Sequence, residues 1–237
     1  MTLFDSFFLA TPVIDGLSYS SGKFFVENHL PFKTPVTSEA ELRELIGEPS
    51  ELVKRKQLSA LDRHCRTFIS LSPFLLIATS DTHGECDISP RGDAPGFVLV
   101  LDEHTLVIPD RPGNRRVDSL RNILQNGSIG IVFMIPGVEE MLRVNGKAWV
   151  IRDESLLEKM TARGKRPLLG IGVEIKECFL HCGKAIKRSQ IWNYAARTES
   201  LNLPSLARML KDQVDLPDTS VEELEQRIEE SYTKRLY

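Results

Sequence analysis

Four arginines, Arg111, Arg115, Arg116 and Arg121, fall within eleven residues of the segment LVIPDRPGNRRVDSLRNILQN, residues 106–126. There an apolar strand runs into a Pro/Gly loop and then into a short helix. The residue types suit a phosphate monoester: a turn loosened by Gly113, main-chain N–H groups at a helix start, and forked guanidinium donors. A second basic position lies upstream in Ser89-Pro90-Arg91-Gly92-Asp93, where a hydroxyl and another arginine close a strand. Spacing alone leaves two readings open, a pocket for a phosphorylated ligand or an arginine-rich solvated loop. Asp93 and Asp110 either accept protons or, less ambitiously, hold the arginines in place.

Other clusters are weaker. Lys184, Arg188 and Trp192 recur every four residues, so on a helix they form one stripe of two cations and an indole. That stripe either reaches an anion and a flat ring or is a surface helix whose long side chains snorkel over one buried Trp. Cys178, His181 and Cys182 lack the second ligand pair that tetrahedral zinc needs, so core thiols beside a satisfied histidine are expected and no metal. His64-Cys65 reads as packing, since no orienting carboxylate pattern accompanies it.

These residues must be positioned by a β-rich middle. From Phe74 onward, short runs punctuated by turns predict strands at 74–80, 85–93, 97–101 and 105–109, read as an antiparallel meander in which the two basic strand ends lie side by side. Further strands are predicted at 128–135, 141–153 and 170–182, with one helix between 110 and 127. Seven short strands argue for a closed or split barrel, which removes exposed sheet edges. Ahead of them, Ser38-x-x-Glu41 predicts a capping box, with a stop at Gly47 and Pro49. A second helix is expected from Glu51 to Ser72-Pro73, with Leu58, Leu61, Cys65, Phe68 and Ile69 on a face packed against the outside of the sheet. Residues 1–36 read as an arm and 37–237 as one domain with a helical C-terminal extension, whose last segment VEELEQRIEESYTKRL is a solvated helix.

Composition excludes several classes. The 237 residues carry 41% hydrophobic and 27% charged side chains, as in an ordinary globular chain, and a net charge of −3 gives no global field for nucleic acid or an anionic membrane. The N-terminal stretch lacks an export signal and no run approaches the length of a spanning helix. A cytoplasmic, thiol-reduced protein with no nucleic-acid or membrane partner is therefore expected.

The strings SPFLLIATSD, SPRGDAPGF, LVIPDRPGNRR, SLRNILQN, PGVEEMLRVNGKA and FLHCGKAIKRSQIW occur in this order. Together they resemble the pyridoxamine 5′-phosphate oxidase-like proteins that bind flavin mononucleotide (FMN), and within them a subgroup of FMN-dependent enzymes of unassigned substrate. The resemblance spans about residues 38–213. It implies a mainly β fold with flanking helices: an antiparallel, Greek-key-like split β-barrel with N- and C-terminal helical additions. It also implies an FMN-dependent oxidoreductase working as a homodimer with the flavin between protomers. Ser89 and Arg91 would sit where a strand presents a basic side chain and main chain to the ligand; Ile108, Pro109 and Asp110 would lie on the strand whose main chain edges the flavin ring. Asn114, Arg115 and Arg116 would form the phosphate turn, followed by Asn122 on the next helix. Many relatives carry Lys near Ser119, which makes Arg116 the substitute, although Arg115 and Arg116 remain alternatives. Lys184, Arg188 and Trp192 would cover the partner's flavin. No catalytic side chain is implied, because a flavin carries the redox chemistry itself. A non-catalytic flavin sensor or carrier, a haem-binding relative and a deazaflavin in place of FMN remain as alternatives.

Overall fold

The computed structural model describes residues 17–20, 23–26, 32–193, 203–214 and 217–237; most of the expected arm (1–16, 21–22 and 27–31) lies outside them. Two compact units emerge, Met1–Pro49 and Ser50–Tyr237. In the first, strands β1 (Leu17–Ser20) and β2 (Lys23–Val26) pair antiparallel, a hairpin the sequence pattern did not signal. Helix α1 (Glu39–Ile46) starts and stops where its caps place it. Ser38 Oγ accepts from the Glu41 N–H at 3.2 Å, while the Glu41 carboxylate accepts from Thr37 N–H rather than from the cap residue. Gly47 then ends the helix at φ 75°, a left-handed turn open to glycine at little steric cost.

In the second unit the predicted helix from Glu51 is two helices, α2 (Glu51–Arg55) and α3 (Arg63–Leu71). Leu58 leaves the helix because its N–H and C=O pair with Cys178 at 2.9 and 2.8 Å, extending the sheet by a single bridge. Asp62 then caps α3 through the Cys65 N–H at 2.8 Å. Cys65 and Ile69 sit in the same buried cluster as the inward sheet residues, so α3 closes the core from within rather than covering the outer face.

Seven antiparallel strands follow: β3 (Phe74–Ser80), β4 (Cys86–Gly92), β5 (Leu99–Val100), β6 (Thr105–Asp110), β7 (Ser128–Met134), β8 (Met141–Ile151) and β9 (Leu169–His181). Their order is β4-β3-β7-β8-β9-β6-β5, which corrects the four-strand meander: β3–β4 and β5–β6 are separate hairpins at opposite edges. Between the two hairpins run β7, β8 and β9, the last two being the longest strands of the sheet. No ladder joins β4 to β5 or β6, so the sheet is not closed, as in a split barrel. Leu75 and Ile77 of β3, Ile131 and Phe133 of β7, and Leu142 and Val144 of β8 alternate inward, all at 0–1% exposure. Each such side chain contributes about 1.5–3 kcal/mol by leaving water. At Gly146 β8 and β9 shift register, and a Cβ there would lie 2.1 Å from the Glu174 carbonyl oxygen, so the close approach requires glycine.

Two helices position the candidate site. Helix α4 (Asp118–Gln125) packs Leu120 and Ile123 into the core. Helix α5 (Glu154–Lys159), which the sequence pattern did not show, covers the opposite face of the sheet. Its Leu157 and the following Met160 pack on Val107, which is why β6 is buried on both faces. After β9 come α6 (Lys184–Ser189), α7 (Leu206–Gln213) and α8 (Val221–Lys234); α8 opens with a complete Ser220/Glu223 capping box and buries no residue, as expected of a solvated helix.

Candidate functional site

The two basic strand ends do meet, by a different route from the one the meander supposed. β4 and β6 are five places apart in the sheet order, yet Arg91 Nη1 is ion-paired with Asp110 Oδ1, and Arg111 Nε lies 2.7 Å from Asp93 Oδ2. The sheet therefore curls until the ends of β4 and β6 face each other, and crossed ion pairs stand where a ladder would close the barrel. Holding arginines is the role the structure gives Asp93 and Asp110. Arg111 also donates to the Met160 carbonyl at 2.9 Å, and the Tyr237 hydroxyl donates to Asp93 Oδ1 at 2.6 Å. Burial pushes the Asp93 carboxyl up, but the Tyr237 hydroxyl, the Ala94 N–H and Arg111 outweigh it and hold it below the ordinary value. Arg91 Nε is buried without a hydrogen-bond partner.

The basic loop is built differently. Asn114 Oδ1 accepts from the Arg116 N–H at 3.0 Å, an Asx turn, and Arg115 and Val117 both adopt left-handed φ, 63° and 55°. Helix α4 thus begins behind Val117 with no side-chain cap, leaving its first N–H groups without that partner. Arg116 is exposed and paired with Asp118 at 2.8 Å; the same carboxylate takes Arg121 at 2.6 Å. The Asp118 hydrogen bond, then its charge, raises the Arg116 guanidinium further above its ordinary value. Arg115 is exposed and makes no ion pair among the described residues. Behind the loop, Ser119 Oγ donates to Asp87 of β4 at 2.6 Å and Asn122 Nδ2 to Thr79 of β3 at 3.2 Å, pinning α4 to the sheet.

Other expected residues separate. Ile108 and Pro109 are buried within β6. Ser89 lies half-buried opposite Ile77. Lys184 and Arg188 are exposed on α6, but α6 ends at Ser189 and Gln190 turns left-handed, so Trp192 does not continue the stripe; its indole N–H donates to the Val138 carbonyl at 2.9 Å. Cys65 and Cys178 are buried thiols, with burial pushing Cys65 up to about 12, so Cys65 is no thiolate nucleophile. Cys182, expected in the core, is exposed. Among the described residues no His/Cys/Asp/Glu group could hold a metal ion. No helix among them is long and apolar enough to cross a membrane.

An open groove of about 500 Å³ lies on the outer face of the sheet, lined by residues that include Ala78, Gly130, Asn145 and Lys176, and by none of the arginines above. Sequence reasoning missed Arg163, Lys165 and Tyr237, which gather at the Arg111–Asp93 pair. Arg163-Gly164 carried a turn signal; nothing local marked Tyr237.

The family model for pyridoxamine 5′-phosphate oxidase matches residues 61–182, which hold both basic strand ends, the loop and α4. The chain belongs to this family. Over that half of the chain the family shares the expected antiparallel sheet with flanking helices. No curated protein matches the chain. Solved structures similar to it include HupZ of Group A Streptococcus, at 18% identity and TM-score 0.43, covering 51% of this chain and 93% of that one. A protein from Clostridium acetobutylicum related to general stress protein 26 of B. subtilis, of the pyridoxinephosphate oxidase family, is 13% identical with TM-score 0.38, covering 50% and 86%. An FMN-binding protein from Syntrophomonas wolfei subsp. wolfei is 10% identical with TM-score 0.38, covering 60% and 95%.

Proposed function

We propose that the protein is an FMN-dependent oxidoreductase of a small molecule, acting in the cytoplasm as a homodimer built on one split-barrel domain over residues 37–237. The observation that carries this reading is the start of α4: an uncapped helix N-terminus directly behind two exposed guanidinium groups, inside the residues that the family model matches. Partial positive charge at the N–H groups and bidentate arginines suit a phosphate dianion. Arg115 is available as it stands, and Arg116 would exchange its Asp118 partner for the phosphate. Asn114 sets the turn and Asn122 holds α4 on β3. Arg91, whose Nε–H lacks a partner, is the third guanidinium assigned to the phosphate, with Ser89 beside it on β4. Main-chain edges at Ile108, Pro109 and Asp110 would border the ring. When bound, a flavin supplies hydride or electron-pair chemistry; the protein's own residues bind, orient and exclude water.

Lys184, Arg188 and Trp192 would cover the flavin held by a second protomer, since the ring laid on β6 needs a cover from water. Sedimentation should show a dimer, and Arg188→Glu should lower FMN affinity; a monomer that holds FMN tightly removes the dimer from the proposal. The main test is the visible spectrum of freshly purified protein, with mass spectrometry of the released ligand and stopped-flow reduction by NADH or NADPH. A yellow protein releasing FMN and reduced at a defined rate is expected. A colourless protein that takes up no added FMN overturns the reading.

A further inference from the structure

On the outer face of the sheet two cations gather with no acid to meet them. Arg143 of β8 lies opposite Phe179 of β9, and Met141 lies opposite His181, so guanidinium, ring and imidazole share the face turned away from buried Leu142 and Val144. Lys56 joins them because the Leu58–Cys178 bridge holds the chain after α2 alongside β9; its Nζ donates to the Leu180 carbonyl at 2.7 Å. Lys56 Nζ and the Arg143 guanidinium carbon lie 5.5 and 5.1 Å from the Phe179 ring centroid, within cation–π range. All four side chains are half-buried. Among the described residues no carboxylate pairs with Lys56, Arg143 or His181, and the Arg143 guanidinium makes no hydrogen bond. Glu177, two residues along β9 from Phe179, is taken by Asn145 instead. Burial, then the charges of Arg143 and Lys56, lower the His181 pKa, and no acid counters them. The imidazole is therefore neutral at pH 7 and can donate a hydrogen bond.

A half-buried guanidinium is short of water, and one ring face replaces neither its hydrogen-bond acceptors nor its counter-charge. An apolar row starts at the same place. Arg143 pairs with Val132 of β7, Val132 with Leu76 of β3, and Leu76 with Pro90 of β4, all on the outer face. Val132 and Leu76 are half-buried, and Ile88, two residues from Pro90, is 69% exposed. Across four strands that row runs about 14 Å. We propose that this face binds a carboxylate with an alkyl tail, its head taken by Arg143, Lys56 and the His181 imidazole and its tail laid across Val132 and Leu76. The carboxylate supplies the fork-matched acceptors that the guanidinium lacks, and the tail removes the apolar row from water. Charge selects the ligand, since a cationic head on the same tail would face two like charges. The site stands independently of the flavin reading.

The test is calorimetric titration of the full-length protein with decanoate, hexanoate and decylamine at pH 7. Decanoate should bind at least about tenfold more tightly than hexanoate, which has four fewer methylenes to lay on the row, and about tenfold more tightly than decylamine. Arg143→Ala should weaken decanoate about tenfold and erase its preference over decylamine; should that variant fail to fold, Arg143→Gln decides by the same readout. Equal affinity for decanoate and hexanoate shows an ion pair without a tail site and overturns the proposal. So does a folded Arg143 variant with unchanged affinity. A wild-type protein that sediments as a dimer and binds no decanoate gives this face to a second copy, which also overturns it. FMN titration of the same samples separates the two proposals. Decanoate binding by a protein that takes no FMN sinks the flavin reading alone, and an FMN-bound protein indifferent to decanoate sinks this site alone.

Discussion

Two clusters of arginine–aspartate pairs, separated by a few residues of chain, do different work. Arg91–Asp110 and Arg111–Asp93 join strand ends that no ladder connects; both arginine side chains are 16% exposed and Asp93 only 4%. Arg116 and Arg121 share Asp118 on the surface, at 73% and 63% exposure. The guanidinium chemistry is the same, but the surroundings decide what it is worth. A half-buried pair cannot be broken without leaving a charge short of both partner and water, whereas an exposed pair is screened and exchanges partners readily. The first set is therefore a clasp of the split barrel, in which Arg91 keeps only its unpartnered Nε–H for a ligand, and the second exchanges its partners readily.

The sharpest way to break this comparison is Asp93→Ala, which strands the Arg111 charge and releases the Tyr237 hydroxyl. It should destabilise the protein by about 2–4 kcal/mol in urea unfolding. A loss below about 0.5 kcal/mol, the range of an ordinary surface substitution, would place the clasp with the surface pairs.

Arg116→Ala should leave stability nearly unchanged and weaken FMN roughly tenfold or more, with a smaller effect on riboflavin, which lacks the phosphate. Equal losses for both ligands would remove Arg116 from the phosphate site. Asp118→Asn gives a smaller effect of opposite sign: without the competing carboxylate, Arg116 and Arg121 should bind FMN about threefold more tightly. An unchanged or weaker affinity would mean that Asp118 orients the arginines rather than competing for them.

The smallest effect is the pH response of the clasp. The Asp93 pKa is lowered, so its contribution is present above the ordinary unfolded carboxylate value of about 3.9 and is lost as pH falls through the lower folded value. The Tyr237 pKa is raised, first by its hydrogen bond to Asp93, so its contribution is present below about 10 and lost as pH rises through the folded value. Arg111, Arg163 and Lys165 are the cations around them. The melting-temperature difference between wild type and Tyr237→Phe should therefore be widest between these limits and narrow at both extremes. A difference independent of pH would show that this hydrogen bond contributes nothing.

Sequence alone determined the elements whose cause is local. Short β-rich runs over Phe74–Ser80 and Ser128–Met134, bounded by turn residues, mark strands because β-branched and apolar side chains suit a pleated, packed surface. Ser38 marks a helix start because the N–H group it satisfies lies within the first turn. Even the Asp–Arg chemistry of 91–93 and 110–111 was legible from composition. Tertiary structure decided what depends on distant partners: that Leu58 leaves its helix for Cys178, that β4 and β5 lie at opposite edges, and that α6 stops before Trp192. Only the folded chain brings Tyr237 to Asp93, 144 residues away. A contact of that span leaves no periodicity or cap in the sequence, because its energy comes from groups that meet only after the sheet has curled.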